Sequence, residues 1–264
     1  MAATVRRVIS PLVRVLHRPT LGGLEHLPAD RPFLLVANHS AGMGLAEIAC
    51  FTSLYLQRFG TTRPVAGFAH PVGFRVWPIS AVVRGLGAVP STYEAAFSAL
   101  AEGVPLLVFP GGDHETLRPV WQAHRVDFGG RRGFLRVARD AGAPIVPMGI
   151  RGAHFTVPML LRSRLLATLL VLPRLFGLKR WGLSLLSVAG AATLAFAPLP
   201  WPARLALIWA WLTSPVVFWP IVPWTIRMRV GPPIEPETLF GDDDPSLQGA
   251  LAQVQGAVQR LVDR

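Results

Sequence analysis

Short apolar runs bounded by glycine, proline or a polar residue recur through the first 150 positions. FLLVA at 33–37, PVAGFA at 64–69, PLLVFP at 105–110 and PIVPMGI at 144–150 each predict a buried strand. Between them, the stretches 44–58, 73–84, 92–102 and 131–141 carry apolar residues at helical spacing. This alternation predicts an α/β fold, a mostly parallel central sheet flanked by helices. Further along, TIRMRVGPPI at 225–234 alternates Ile226, Met228 and Val230 with Arg227 and Arg229, the period of a last strand with one polar face. GDDDP at 241–245 reads as a solvated turn and helix N-terminus, leading into an amphipathic helix from about 246 to 262.

Two regions depart from that pattern. Residues 1–24 form a basic amphipathic segment, in which Val5, Ile9, Leu12, Val13 and Leu16 fall near one helical face and Pro11 argues for a kink. Such a helix either lies in a membrane interface or packs on the domain. The rest, 25–264, reads as one domain interrupted by an apolar insertion at 157–224. No charged residue stands between Arg180 and Arg204, or between Arg204 and Arg227. Each stretch approaches the ~20 residues that cross a bilayer. Yet Pro198, Pro200, Pro202, Pro215, Pro220 and Pro223 interrupt them, and Trp201, Trp211, Trp219 and Trp224 recur as interface-preferring side chains. A spanning hairpin, a shallow insertion and a buried core hairpin are the three readings, with the shallow one favoured.

Composition sharpens the membrane reading. Hydrophobic residues make up 51% and charged residues only 16%, against roughly 25% charged in soluble domains. The formal net charge is +11, and Lys179 is the sole lysine. Arginines flanking apolar runs suit anionic lipid headgroups better than nucleic acid, which favours basic stripes with exposed aromatics. No nucleic-acid partner is expected. Cys50 is the one cysteine, so no intrachain disulfide forms. The seven histidines make no metal-ligand spacing, and no metal site is expected.

The candidate chemistry stands at strand ends, where α/β folds keep their ligands. Asn38-His39 ends the first predicted strand, FPGGDHETLRP at 109–119 follows the third, and PIVPMGIRGAH at 144–154 closes the fourth. His39 suits a general base near neutrality, and Glu47 is the nearest following acid that could orient its ring. His154 reads as structural. Ser40 reads as a turn hydrogen-bonder rather than a nucleophile.

In this order and spacing, Asn38-His39, Phe109-Pro110 with Gly112, GGRRGF at 129–134 and Ile145-Val146-Pro147 resemble the signature of the glycerolipid acyltransferases, the family of 1-acylglycerol-3-phosphate acyltransferase. PGGDHE at 110–115 also resembles the Pro-Gly-Gly-x-x-Glu of the diacylglycerol acyltransferase 2 branch, with Glu115 as the matching acid. The resemblance implies an O-acyltransferase that takes an acyl group from acyl-CoA or acyl-carrier protein, with no other cofactor. The acceptor would be a hydroxyl of a lysophospholipid or related glycerolipid, or else a neutral or amino-lipid. A non-catalytic membrane-binding homologue is the alternative of a different class. By the same resemblance His39 and Glu47 are catalytic, while Asn38, Ser40, Gly111, Gly112, Asp113, Glu115 and Arg118 contact substrate. The protein is expected at a membrane, on the cytoplasmic face of a bacterial inner membrane. Two departures stand out. The family's acid five residues after the histidine is Gly44 here, so Glu47 must reach back from eight. His114 occupies the place of a phosphate-reading arginine, and LGAVPSTYE at 86–94 supplies no second one, which leaves Arg118, Arg125, Arg131 or Arg132 as substitutes.

Overall fold

The computed structural model describes residues 2–40, 42–69, 71–75, 79–85, 87–240 and 246–264. Its strands are β1 (Thr20–Gly22), β2 (Leu34–Ala37), β3 (Ala66–Ala69), β4 (Val89–Pro90), β5 (Leu106–Val108), β6 (Ile145–Arg151), β7 (Met159–Ser163), β8 (Trp181–Ser184) and β9 (Arg227–Val230). Seven of these form a sheet in the order β1-β9-β6-β2-β5-β3-β4, and β7 pairs with β8 alone. Strands β6, β2, β5, β3 and β4 run parallel, as the βαβ alternation requires. Strand β9 returns antiparallel beside β6 and brings β1 parallel to itself.

The centre of the sheet is buried on both faces because β2 and β5 are apolar at every position. Leu34 and Val36 point into one core with helices Tyr93–Ala101, Gly133–Asp140 and Gln248–Asp263. Leu35 and Ala37 point into the other, with helix Leu45–Phe59, the N-terminal helical segment and the insertion. The helices predicted at 44–58, 92–102, 131–141 and 246–262 are all present. The stretch 73–84 is instead divided between a 3-10 turn, Pro71–Phe74, and a helix, Ile79–Gly85. The acidic turn at 241–245 lies outside the described residues.

The N-terminal segment is helical from Ala2 to His17, with a π-helical stretch Val5–Ile9 ahead of Pro11. Val5, Val13 and His17 are buried, and Arg14 Nη2 donates to Gln57 Oε1 at 2.6 Å, so the helix packs on the domain. Its outer side still exposes Val8, Leu12 and Val15 beside Arg6, Arg7 and Arg14. Segment 1–24 also contributes β1, which joins it to the sheet.

Residues 157–224 fall between β6 and β9. One side is folded into the protein: Ala167, Leu170, Trp181, Val217 and Phe218 join the core beneath the sheet. The other side exposes Leu165, Leu169, Leu175, Phe196 (89% exposed), Trp201 (67%) and Leu205. Helices Leu185–Ala195 and Trp201–Thr213 have 11 and 13 residues. At about 1.5 Å per residue neither reaches the ~30 Å of a hydrocarbon core. Among the described residues no helix is long and apolar enough to cross a membrane. The spanning-hairpin reading therefore fails on length. The fully buried reading fails on the exposed outer side.

Candidate functional site

The parallel strands β2, β5 and β6 end on the same edge of the sheet, and the predicted site residues gather there. Asn38 follows β2 directly. Its amide grips β6 twice: Nδ2 donates to the Ile150 carbonyl at 2.8 Å, and Oδ1 accepts the Ile150 N–H at 2.7 Å. This two-point clasp fixes the chain at the position where His39 emerges.

The His39 ring is held from three sides. Nδ1 makes a short hydrogen bond to Glu47 Oε1. Phe109, the residue after β5, stacks on the imidazole with centroids 4.3 Å apart and planes inclined by 20°. Gly44 fills the remaining side, and a Cβ there would run into His39 Cε1. Gly44 also has φ +74°, the left-handed conformation that glycine adopts without strain, and from it helix Leu45–Phe59 begins. That start places Glu47 in the first turn, facing back toward the histidine. Nε2 of His39 makes no hydrogen bond among the described residues, and the side chain keeps 13% of its surface exposed.

Glu47 is fully buried and accepts more than the imidazole. The Ser40 N–H donates to Oε1 at 2.9 Å and Ser40 Oγ donates to Oε2 at 2.9 Å. Both oxygens of this buried side chain are thus hydrogen-bonded, as burial of a polar group requires. Ser40, expected to touch substrate, is itself fully buried, and both of its donors are committed to Glu47.

The second loop, 109–118, turns through Pro110-Gly111-Gly112 into the short helix Gly112–Thr116. The Gly112 N–H is used within the turn, on the Phe109 carbonyl at 3.2 Å. A Cβ on Gly111 would collide with the Glu115 side chain, so glycine lets this carboxylate fold back under the turn. Glu115 Oε2 accepts the His39 backbone N–H at 2.9 Å, while Oε1 accepts the Asp127 N–H at 2.9 Å and Arg118 Nη2 at 3.3 Å. Burial pushes its carboxyl up to about 7, against the pull of these donors. Arg118 is buried too, with Nη1 on the Arg125 carbonyl and Nε without a partner among the described residues.

Asn38, Ser40, Glu115 and Arg118, expected to contact substrate, are all buried, and each is tied to a protein partner. Asp113 is more open and lies between Arg131 and Arg180. Those guanidiniums hold its carboxyl below the ordinary range although burial acts the other way. His154, read as structural, is buried with Nε2 unpartnered among the described residues; burial first, then nearby Arg118, lowers its pKa to about 3.

Several contacts escape the sequence pattern. Phe109 belongs to a quoted motif, but nothing in its spacing announces a ring stacked on His39. Asp127 takes His114 Nε2 at 2.9 Å, and Arg162 of β7 donates to the His114 carbonyl. An unpaired Asp downstream of a glycine turn was the one available hint of the first. Nothing signals the second.

Residues 18–151 match the family model described as Acyltransferase, and the chain belongs to that family. The match takes in β1 to β6 and both loops, and it ends before the insertion. An uncharacterised protein of Mycobacterium tuberculosis is 29% identical over 199 residues, 74% of this chain and 54% of that protein. The chain thus spans about half the length of these curated relatives. The Gallus gallus DGAT1/2-independent enzyme synthesizing storage lipids is 33% identical over 135 residues, 51% of this chain and 39% of that one. The crystal structure of the 1-acyl-sn-glycerophosphate acyltransferase PlsC from Thermotoga maritima aligns with a TM-score of 0.57 at 17% identity, over 100% of this chain and 80% of that one. That likeness shows the same fold.

Proposed function

We propose that this protein is a glycerolipid O-acyltransferase working at a membrane surface, which moves an acyl group from an acyl-CoA or acyl-carrier-protein thioester to a lipid hydroxyl. The observation that carries the reading is the His39 Nδ1–Glu47 contact, made at the carboxyl ends of parallel strands with Nε2 free of partners among the described residues. Nε2 takes the proton of the acceptor hydroxyl as its oxygen attacks the thioester carbonyl. Glu47 keeps the second proton on Nδ1 and stabilises the imidazolium that forms. When the tetrahedral intermediate collapses, the carbon–sulfur bond breaks and Nε2 returns its proton to the departing thiolate. No side-chain nucleophile is needed, in keeping with Ser40 being buried beneath Glu47.

Membrane association draws support from the exposed side of the insertion and from Val8, Leu12 and Val15 of the N-terminal helix. Both pack on the same face of the sheet. A short helix with Trp201 and Arg204 in its first turn suits shallow burial among lipid headgroups. The test is acyl transfer from a labelled thioester to a panel of lipid hydroxyls, with Trp201→Ser and Phe196→Ser assayed for binding to anionic vesicles. Transfer abolished by His39→Ala is expected. A wild type inactive with every acceptor would leave a lipid-binding protein in its place.

A further inference from the structure

Three arginines converge on the turn 111–114, and two of them come from outside the family-matched residues. Arg131 donates through Nη1 to the Gly111 and Pro110 carbonyls, at 2.6 and 3.2 Å, and through Nη2 to Asp113. Arg180, just ahead of β8, reaches the other Asp113 oxygen at 3.3 Å. Arg162 donates to the His114 carbonyl, with no carboxylate in ion-pair reach among the described residues. The neighbouring acids have partners of their own, Glu115 with Arg118 at 3.3 Å and Asp127 with His114 Nε2 at 2.9 Å. Three guanidiniums thus gather around the one Asp113 carboxylate, which leaves positive charge in excess at the turn.

That excess is held in a half-buried place. Burial, together with nearby Arg180 and Arg118, pushes the Arg162 guanidinium below its ordinary pKa. A guanidinium offers five N–H donors in a planar fork, and Arg162 and Arg180 each give the protein one. A phosphate group matches both the charge and the fork. The same loop carries Glu115, which holds the His39 amide, so one loop joins this cluster to the His39 backbone.

We propose that Arg131, Arg162 and Arg180 form a subsite for a phosphate group of one of the two substrates, either the acceptor's headgroup or the donor's phosphopantetheine and nucleotide. The proposal rests on the acyl-transfer reading above. It places the arginines absent from the loop at 109–119 and the stretch at 86–94 partly on the insertion.

The experiment measures kcat/KM for the full chain with paired substrates. The acceptors are 1-acylglycerol 3-phosphate and monoacylglycerol of one chain length; the donors are acyl-CoA and the phosphate-free acyl-N-acetylcysteamine. Arg162→Gln and Arg180→Gln are expected to lower the phosphate-over-neutral ratio about 10- to 100-fold in one pair, through KM, with Arg162→Lys in between. The pair affected identifies the source of the phosphate. Equal losses with both members of each pair would overturn the subsite and leave the arginines as a strap between insertion and turn. Should Arg162→Gln fail to fold, Arg180→Gln alone reads the same ratio. If the wild type transfers no acyl group, glycerol 3-phosphate and adenosine 3′,5′-bisphosphate are titrated onto it by calorimetry. Binding that Arg180→Gln weakens about tenfold would keep the subsite and overturn only the acyl-transfer reading. No binding would overturn both.

Discussion

Two loops each offer His39 a fully buried glutamate, and they use it differently. The loop after β2 sends Glu47 to the imidazole itself; the loop after β5 sends Glu115 to the backbone N–H of the same residue. A carboxylate on the ring acts on proton affinity and tautomer, which are chemical properties. One on the backbone acts on where the residue sits, and here it ties three chain segments together at His39, Asp127 and Arg118. The contrast separates an orienter of chemistry from an orienter of architecture, although both acids are equally hidden from solvent.

The largest effect expected is on the shared target. His39→Ala should lower kcat/KM for acyl transfer by about 10³-fold or more with the melting temperature little changed. Glu47→Ala should follow with a loss of about 10²-fold in kcat and a stability cost of about 1–3 kcal/mol, since the Ser40 amide loses its acceptor. Glu115→Gln should cost less than Glu47→Ala in kcat, and its signature lies in stability against pH. With the Glu115 carboxyl raised from 4.5 to about 7, the unfolded chain releases that proton over this window while the folded chain keeps it. Stability from this group therefore falls as pH rises from about 4.5 to 7 and then levels off. Urea unfolding at several pH values should show that slope in the wild type and not in Glu115→Gln. A Glu115→Gln variant that keeps the slope, yet loses kcat as fully as Glu47→Ala, would erase the distinction between the loops. The smallest effect is Phe109→Leu, which removes ring stacking on His39 and should lower kcat a few-fold, about 1 kcal/mol.

The central strands and their loops were legible because parallel strands buried on both faces are apolar throughout and stop at glycine, proline or a polar residue. Glu47 was legible because it is the first acid after His39. Strands β1 and β4, of three and two residues, are too short to leave a period. The hairpin β7–β8 hides inside an apolar segment whose composition reads alike against lipid and against a core. Arg162 and Arg180 meet the turn from 48 and 67 residues away, and only the placement of that hairpin brings them there. Burial within the site was also invisible. The motifs mark Asn38, Ser40, Glu115 and Arg118 as substrate contacts, but nothing in them shows that all four are buried.

Gly44 has a consequence for how such a site changes over generations. An acid at this position would meet the His39 ring and force a side chain into φ +74°. Moving the acid from the eighth to the fifth residue after the histidine therefore has no viable one-letter step, because the imidazole must be re-seated first. Gly44→Asp should fail to rescue Glu47→Ala in the transfer assay. A chain with one spacing reaches the other only through a second change that re-seats the His39 ring.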